Sequence, residues 1–328
     1  MLGLILLLQS LTIAVSGPAT SAEYLPLRVA EAEGYFADAG LEVTLKTTRA
    51  ESGAAEALAQ RQADLAATSL EAALRFGAAK TGEAPRLVFG LTAAPPVVLA
   101  VPASLGPTTR TVEDLVGTVV GISSPGAPEQ TWLLGLLARA DLKVTQVSLV
   151  SYGERGLGIA LAQAQVRAGL IGDPVASRLL ADGAVTALAD LRNPAGIAQA
   201  LGRPTVHAAV FEPGRGRSRT AELSALSRAL LRAIARIQTA TPEELAEKLP
   251  RNVVGLPSDF AARLGGTRKI YLADGLVDRD ALDSTVAMIR QVVPLPRALK
   301  IPRASEMLRQ EPLRRVLTGP PSSRSPSH

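Results

Sequence analysis

The stretch LTIAVSGPATSAEYLPLRVAEAEGYFADAGLEVTL, residues 11–45, contains one complete unit of strand, loop, helix and strand. The apolar residues 11–15 predict a strand, and Ser16-Gly17-Pro18 after them predicts a loop. Apolar residues at helical spacing follow over residues 25–36, and a glycine stands where the helix cap belongs. Apolar and polar residues alternate over residues 41–45, which is typical of a half-buried strand. This order indicates the first unit of a parallel α/β sheet.

The residues before this unit have the character of an export signal. Residues 4–8 are apolar, but no positively charged segment precedes them, so we expect residues 1–10 to be the remnant of a signal peptide. Thr20-Ser21-Ala22 has the form of a signal-peptidase site, yet cleavage there would remove the first strand and its loop. We therefore interpret this tripeptide as a decoy and expect the mature fold to begin near Ser10 or Leu11.

Strands and helices continue to alternate along the chain until about residue 211, and helices dominate after it. Further strands are predicted at residues 63–67, 87–91, 97–101, 118–122, 144–150, 169–172, 185–188 and 205–211. Further helices are predicted at residues 54–62, 70–80, 129–140, 156–168, 223–238, 242–249, 257–264 and 279–292. Pro95-Pro96 interrupts the apolar run between two predicted strands, which favours a crossover between two lobes.

Composition excludes several classes of site. The 328 residues include no cysteine, so disulfides, zinc-thiolate sites, thiol nucleophiles and a lipid-modified cysteine are absent. The net charge is +5, but the basic residues are scattered and only 3% of residues are aromatic, so we expect no nucleic-acid partner. The two histidines, His207 and His328, form no metal pair or catalytic triad, and we expect His207 to satisfy a local hydrogen bond. No nucleotide-binding glycine motif is present, so we predict no catalytic residue, metal or cofactor.

Four predicted strands end in small or hydroxyl-bearing residues. These ends are Ser16-Gly17, Thr68-Ser69, Ser123-Ser124-Pro125-Gly126 and Gly172-Asp173. In open α/β sheets, ligands bind outside the carboxyl ends of the strands. Any one of these residues could be only a helix cap, because serine, threonine and aspartate are favoured caps. Their recurrence in both halves of the chain favours a ligand site.

Four segments resemble the nitrate/sulfonate/taurine and thiamine-pyrimidine group of periplasmic substrate-binding proteins of ABC transporters. The segments are LPLRVAEAEGYFADAGLEVTL (25–45), EALAQRQADLAATS (56–69), DLVGTVVGISSPGAPEQTWLLGLLARADL (114–142) and ALAQAQVRAGLIGDP (160–174). Their order and spacing agree with that family from about residue 11 to residue 317. Val166-Arg167-Ala168 departs from the family's usual "vDA", and cleft aromatics are scarce, with Tyr24, Trp132 and Tyr152 the nearby candidates.

The resemblance implies a type II periplasmic-binding fold, in which two α/β lobes of mainly parallel sheet are joined by two crossover strands. Lobe 1 would comprise residues 11–98 and 207–317, lobe 2 residues 99–206, and residues 318–328 would be a disordered tail. The ligand residues carried over by position are Ser16, Gly17, Ala22, Glu23, Thr68, Ser69, Ser123, Ser124, Gly126 and Asp173. Hinge bending is expected near residues 97–101 and 205–210.

The function implied by the resemblance is that of a solute-binding component of an ABC importer. Such a protein would be a soluble, exported periplasmic monomer without a lipid anchor, and it would deliver a small organic anion or heterocycle to a membrane permease. Two alternatives remain open. The same fold hosts cytoplasmic dehydratases and lyases of the menaquinone pathway, which the missing basic leader favours, and it also hosts ligand-sensing domains.

Overall fold

Two five-stranded sheets form the framework of the protein. The computed structural model describes residues 9–319 except 49, 79–82, 217, 298 and 302. The first sheet consists of β1 (Gln9–Val15), β2 (Leu41–Thr47), β3 (Leu65–Ser69), β4 (Arg86–Gly90) and β10 (Ala208–Glu212). The second consists of β5 (Val97–Pro102), β6 (Val119–Ile122), β7 (Ser148–Ser151), β8 (Ala168–Gly172) and β9 (Val185–Asp190).

The strand orders are β2-β1-β3-β10-β4 and β7-β6-β8-β5-β9. In each sheet one strand runs antiparallel to its neighbours, namely β10 in the first sheet and β5 in the second. Each of these strands is the first one formed after the chain leaves the other sheet, so the chain crosses between the sheets twice. The predicted two-lobed α/β fold with mainly parallel sheets is thereby confirmed, and its exact lobe boundaries stay a prediction.

Helices cover both sheets, and α5 to α8 belong to the second one. They are α1 (Leu25–Ala32), α2 (Tyr35–Asp38), α3 (Glu51–Ala59), α4 (Leu70–Phe76), α5 (Pro128–Arg139), α6 (Gly153–Ala162), α7 (Val175–Ala181), α8 (Pro194–Leu201), α9 (Thr220–Thr239), α10 (Pro242–Lys248), α11 (Arg251–Val254), α12 (Pro257–Thr267), α13 (Arg279–Val292), α14 (Ala304–Met307) and α15 (Glu311–Thr318). We call the first sheet with its helices the first lobe, and the second sheet with α5 to α8 the second lobe. Among the helices described, none has both the length and the apolar character needed to span a bilayer.

The central strands β3, β5 and β10 are buried on both faces, and successive residues of each strand point to opposite sides. In β10, Ala208 and Val210 join one hydrophobic cluster, whereas Ala209 and Phe211 join another. The second lobe has the same arrangement about β5, where Leu99 and Ala100 belong to different clusters. Central strands that are buried on both faces have continuous apolar runs, and such runs predict a strand at each of these places, with small errors in the bounds.

Several predicted elements differ from the structure. The helix expected over residues 25–36 is divided at Gly34, whose φ of 74° places it in the left-handed region. Residues 144–146 form a 3-10 turn instead of a strand, because β6 begins at Val119, the partner of Ser148, and leaves nothing earlier to pair with. The helix predicted over residues 156–168 ends at Ala162, and Ala168 already belongs to β8.

Other differences concern elements that the sequence patterns did not predict. Helices α7 and α8 of the second lobe were missed, and the strand expected at residues 205–211 begins only at Ala208. Helix α4 ends at Phe76, and the end of the helix predicted there lies outside the described residues.

The two ends of the chain are described only in part. Residues 1–8 of the expected signal-peptide remnant lie outside the described residues, whereas Gln9 and Ser10 pair with β2 as the first residues of β1. Of the tail expected at residues 318–328, Thr318 ends α15, and residues 320–328 are not described. Ala22, the last residue of the tripeptide interpreted as a decoy, is buried.

Candidate functional site: the cleft between the lobes

A cleft of about 730 Å³ lies between the lobes, at the carboxyl ends of strands from both sheets. The loops that follow β1, β6 and β8 line it, together with the beginnings of α3, α4 and α5. Eight of the ten residues predicted to bind ligand line this cleft: Gly17, Ala22, Glu23, Ser69, Ser123, Ser124, Gly126 and Asp173. Residues more than 150 positions apart in the sequence therefore meet in one cavity.

The other two predicted residues, Ser16 and Thr68, are fully buried and do not line the cleft. The Ser16 hydroxyl lies 2.6 Å from the backbone carbonyl oxygen of Glu51 and 2.8 Å from Thr68 Oγ1. The Thr68 hydroxyl also reaches that carbonyl, at 3.3 Å. In this structure both hydroxyls fix the first residue of α3, and through it the position of the Glu51 side chain.

Glu51 is a cleft residue that the sequence analysis did not single out. Its Oε1 accepts hydrogen bonds from the Tyr24 hydroxyl at 2.7 Å and from the backbone N–H of Ser69 at 3.3 Å. Burial raises the pKa of the Glu51 carboxyl, and the nearby charge of Glu23 raises it further. The sequence signal that could have identified it is an acidic residue at a helix start, close after a strand.

Glu23 and His207 face each other in the first-lobe wall of the cleft. Glu23 Oε1 lies 3.7 Å from His207 Nε2, and the imidazole packs edge-on against Trp132, with ring centroids 5.6 Å apart. The backbone N–H of His207 donates to the carbonyl of Thr92, but among the described residues neither ring nitrogen has a hydrogen-bond partner. The local hydrogen bond that we expected for this side chain is therefore not formed.

The three aromatic candidates do not line the cleft. Tyr24 is buried, donates to Glu51 and has a raised pKa because of that burial. Trp132 is buried behind His207, and Tyr152 packs beside a hydrophobic cluster of the second lobe. Phe76 is an aromatic residue of the wall that was not predicted.

The second-lobe wall is built around Asp173. Its carboxylate lies 3.1 and 3.2 Å from Arg192 Nη1 and accepts the backbone N–H of Ser177 at 2.9 Å. Gly266 of α12, in the first lobe, lies against this pair so closely that a Cβ there would overlap Asp173 Oδ2. Although Asp173 lines the cleft, its carboxylate is already engaged by Arg192 and Ser177.

The loop after β6 supplies the remaining second-lobe residues. The Ser123 hydroxyl donates to Glu129, and the backbone N–H of Gly126 donates to Gln130 Oε1 at 2.6 Å. Ser124 and Gly126 are exposed at the rim. This loop presents small side chains to the cavity, so a ligand can approach it closely.

Carboxylates outnumber basic groups among the described cleft residues. The acidic residues are Glu23, Glu51, Glu71, Glu129 and Asp173, and the arginines are Arg75 and Arg263. Arg75 pairs with Glu71 at 2.7 Å. Arg263 donates to the backbone carbonyls of Val253 and Val254, and burial lowers the pKa of its guanidinium. Within the described chain no cluster of three or more possible metal ligands occurs.

Comparison with known proteins places this architecture in a family. The sequence profile described as NMT1/THI5 like matches residues 21–194, which is more than half of the chain. No curated protein matches the sequence. A solved structure from Bordetella bronchiseptica RB50 is 26% identical with a TM-score of 0.72, and the match covers 94% of this chain and 96% of that one.

Two further solved structures share the fold at lower identity. One is described as a candidate periplasmic sulfonate-binding protein, SsuA, of a sulfonate ABC transporter from Methylobacillus flagellatus KT. It is 16% identical with a TM-score of 0.70, and the match covers 94% of each chain. The other is the desulfurization enzyme DSZB, 17% identical with a TM-score of 0.61, over 94% of this chain and 99% of that one. The fold is thus shared by a binding protein and an enzyme.

Proposed function

Because the chain belongs to the NMT1/THI5 like family, we propose that it is the solute-binding component of an ABC importer. It captures a small organic molecule between its two lobes and delivers it to a membrane permease. The proposal includes the periplasmic location and monomeric state expected from the sequence. The similarity in fold to the sulfonate-binding protein of an ABC transporter supports it.

The observation that carries the proposal is the cleft itself. It lies at the carboxyl ends of strands from both sheets, and its walls come from two lobes joined by two crossovers. A ligand that contacts both walls stabilises the closed arrangement by its differential affinity for that arrangement. This is the geometry that capture and release of a solute require.

The charge of the cleft bears on which ligand class is favoured. The resemblance of the sequence leaves two ligand classes open, a small organic anion and a heterocycle. Five carboxylates and two guanidinium groups line the described part of the cleft. Glu71 pairs with Arg75 and Asp173 pairs with Arg192, which leaves three carboxylates, Glu23, Glu51 and Glu129, against Arg263 and His207. A net negative wall repels an anion. Of the two ligand classes, the charge of the cleft therefore favours a heterocycle over an organic anion.

A thermal-shift screen of the full chain tests the proposal. The panel contains sulfonates, nitrate, bicarbonate, aromatic carboxylates, pyrimidines, flavins and organic amines. A ligand at about 100 times its dissociation constant adds about 2.7 kcal/mol of stability, which raises Tm by several degrees. Ser124→Trp places a bulky ring at the cleft rim and should abolish the shift, whereas Ser104→Trp, at an exposed site outside the cleft, should preserve it. No shift with any compound would contradict the proposal.

The similarity to DSZB favours a second candidate function, an enzyme on the same fold. Glu23, Glu51 and His207 meet in the cleft and could transfer protons, since a carboxyl with a raised pKa suits acid–base work. Mass spectrometry of the compound recovered after incubation distinguishes the two functions. An unchanged compound supports the binding protein, and a converted one supports the enzyme.

A further inference from the structure

The Glu51 carboxylate has one oxygen engaged and one free. Oε1 accepts from Tyr24 and from the backbone N–H of Ser69. Within the part of the chain that the structure describes, no group donates to Oε2, which lies beside Gly17 so that a Cβ there would be 3.5 Å away. Glu51 is only partly buried, and both it and Gly17 line the cleft, so this oxygen borders the cavity. This oxygen is therefore available to a donor on a ligand.

The imidazole of His207 is a second, independent polar group in the same wall, and among the described residues its ring nitrogens have no hydrogen-bond partner. Its side chain is only 5% exposed, yet it lines the cleft. A polar ring that is more than nine-tenths buried normally has its nitrogen atoms paired. Here Nε2 faces Glu23 Oε1 at 3.7 Å, beyond the usual hydrogen-bond distance. A hydrogen bond from the ring to a ligand atom would therefore satisfy this imidazole.

Among the described residues, no arginine or lysine neutralises Glu23 or Glu51. Arg75 is paired with Glu71, and Arg263 donates to backbone carbonyls. The two carboxylates act on each other, because the charge of Glu23 disfavours ionisation of Glu51, and a positive charge on His207 only partly offsets this repulsion. A cation placed between them removes this repulsion, whereas an anion increases it.

We propose that the cleft binds its ligand through a positively charged nitrogen, an amine, amidine or guanidine group, held by Glu23 and Glu51 beside His207. This inference names the ligand chemistry of the site and rests on the solute-binding function proposed above. Glu23 and Glu51 are then specificity-determining residues, and each contributes a charge-assisted hydrogen bond to the nitrogen.

Two compound series of equal shape and different charge test the inference on the full chain. The first is benzamidine, benzamide and benzoate, and the second is butylamine, butanol and butanoate. Calorimetric titration should show the cation of at least one series binding at least about tenfold more tightly than its neutral and anionic analogues. Glu23→Gln and Glu51→Gln should each weaken binding of that cation about tenfold. Glu56→Gln, an exposed change on the same helix as Glu51, should leave the affinity unchanged.

The outcomes separate this inference from the function on which it rests. Glutamine retains an oxygen that can accept from Tyr24, and should Glu51→Gln fail to fold, Glu23→Gln carries the test alone. Equal or tighter binding of a neutral compound or an anion overturns the inference and leaves the solute-binding function standing. An affinity for the cation that is unchanged by both substitutions also overturns the inference. If none of the six compounds binds, the cationic class is rejected, and the wider screen then decides the function separately.

Discussion

Glu71 of the first lobe accepts a hydrogen bond from the hydroxyl of Thr131 in the second lobe, and both side chains are buried. Glu71 also pairs with Arg75, so its carboxylate is shared between a partner in its own lobe and one across the cleft. A second contact between the lobes joins Arg178 of α7 to Asp259 of α12 at 3.5 Å, but Arg178 is largely exposed there. The Glu71–Thr131 hydrogen bond is therefore the better shielded polar link between the lobes.

Replacing Thr131 by valine should weaken the closed arrangement. The change keeps the shape of the side chain and removes the hydrogen bond, which costs about 1 kcal/mol, while Glu71 keeps Arg75 as a partner. Urea unfolding should show this loss of stability, and small-angle X-ray scattering of the ligand-free protein should show a larger radius of gyration. Thr145→Val, at an exposed site of the second lobe, is the control. A radius equal to that of the wild type would show that the hydrogen bond does not hold the lobes together.

A methyl group at Gly266 should separate the lobes where α12 meets the second-lobe wall. The Cβ would overlap Asp173 Oδ2 and lie 3.0 Å from Arg192 Nη1, so the second-lobe wall must retreat. We expect Gly266→Ala to weaken ligand binding at least about tenfold, a loss of about 1.4 kcal/mol.

Gly265→Ala is a matched control for this prediction. The two glycines are adjacent on α12, and a Cβ at Gly265 would meet no atom within 4 Å. Alanine in place of glycine in a helix stabilises it by about 0.5–1 kcal/mol. Gly265→Ala should therefore bind the ligand with unchanged affinity and unfold at a slightly higher urea concentration. Equal affinity of both variants would refute the steric argument.

The pH dependence of stability should report the environment of Glu51. Its ordinary pKa is 4.5, and burial, followed by the charge of Glu23, raises the pKa in the folded protein. The folded protein thus keeps a proton at pH values where the unfolded chain has released it. The contribution of Glu51 to the free energy of unfolding therefore falls as pH rises above about 4.5, until pH passes the raised pKa.

Glu51→Gln removes this dependence. Urea midpoints measured from about pH 4 to 8 should show the variant gaining stability relative to the wild type as pH rises, and then a constant difference. Glu56→Gln should follow the wild type throughout. A Glu51→Gln curve parallel to that of the wild type would mean that the Glu51 pKa is the same in the folded and unfolded chains.

Replacing Ser16 by alanine should act through Glu51. The hydroxyl that is lost holds the backbone carbonyl of Glu51 and contacts Thr68 inside the wall. We expect a loss of about 1–2 kcal/mol in the free energy of unfolding, measured by urea titration, together with weaker ligand binding. The double change Ser16→Ala with Ser123→Asp should abolish binding while the protein remains folded, because it affects both walls. Unimpaired binding by the double variant would mean that the ligand contacts neither wall near these residues.

Continuous apolar runs made the framework predictable from the sequence. Central strands such as β3 and β5 are buried along their whole length, so their composition alone distinguishes them from loops. Edge segments carry less information, and residues 144–146 are a 3-10 turn because no strand extends far enough to pair with them. The sequence predicts one helix through Gly34, because the positive φ angle of a single glycine cannot be recognised from the sequence.

The cleft was predictable in outline and not in its charge. Hydroxyl-bearing strand ends indicated eight residues that line it, because the strand order brings those ends together. Glu51 could not be selected in this way, since its importance comes from tertiary contacts with Tyr24 and Ser69. Likewise, only the structure shows that Arg192 already occupies the carboxylate of Asp173.

The chain crosses to the second sheet at β5 and returns to the first sheet at β10. These two crossovers set an order in which the sheets can form during synthesis. The five strands of the second sheet lie within the continuous segment from Val97 to Asp190, so that lobe can complete its sheet as soon as this segment is available. In the first sheet, β10 separates β3 from β4, and β10 ends only at Glu212. The lobe that begins the chain therefore closes its sheet last, and β4 waits without a neighbouring strand until more than 100 later residues have been made.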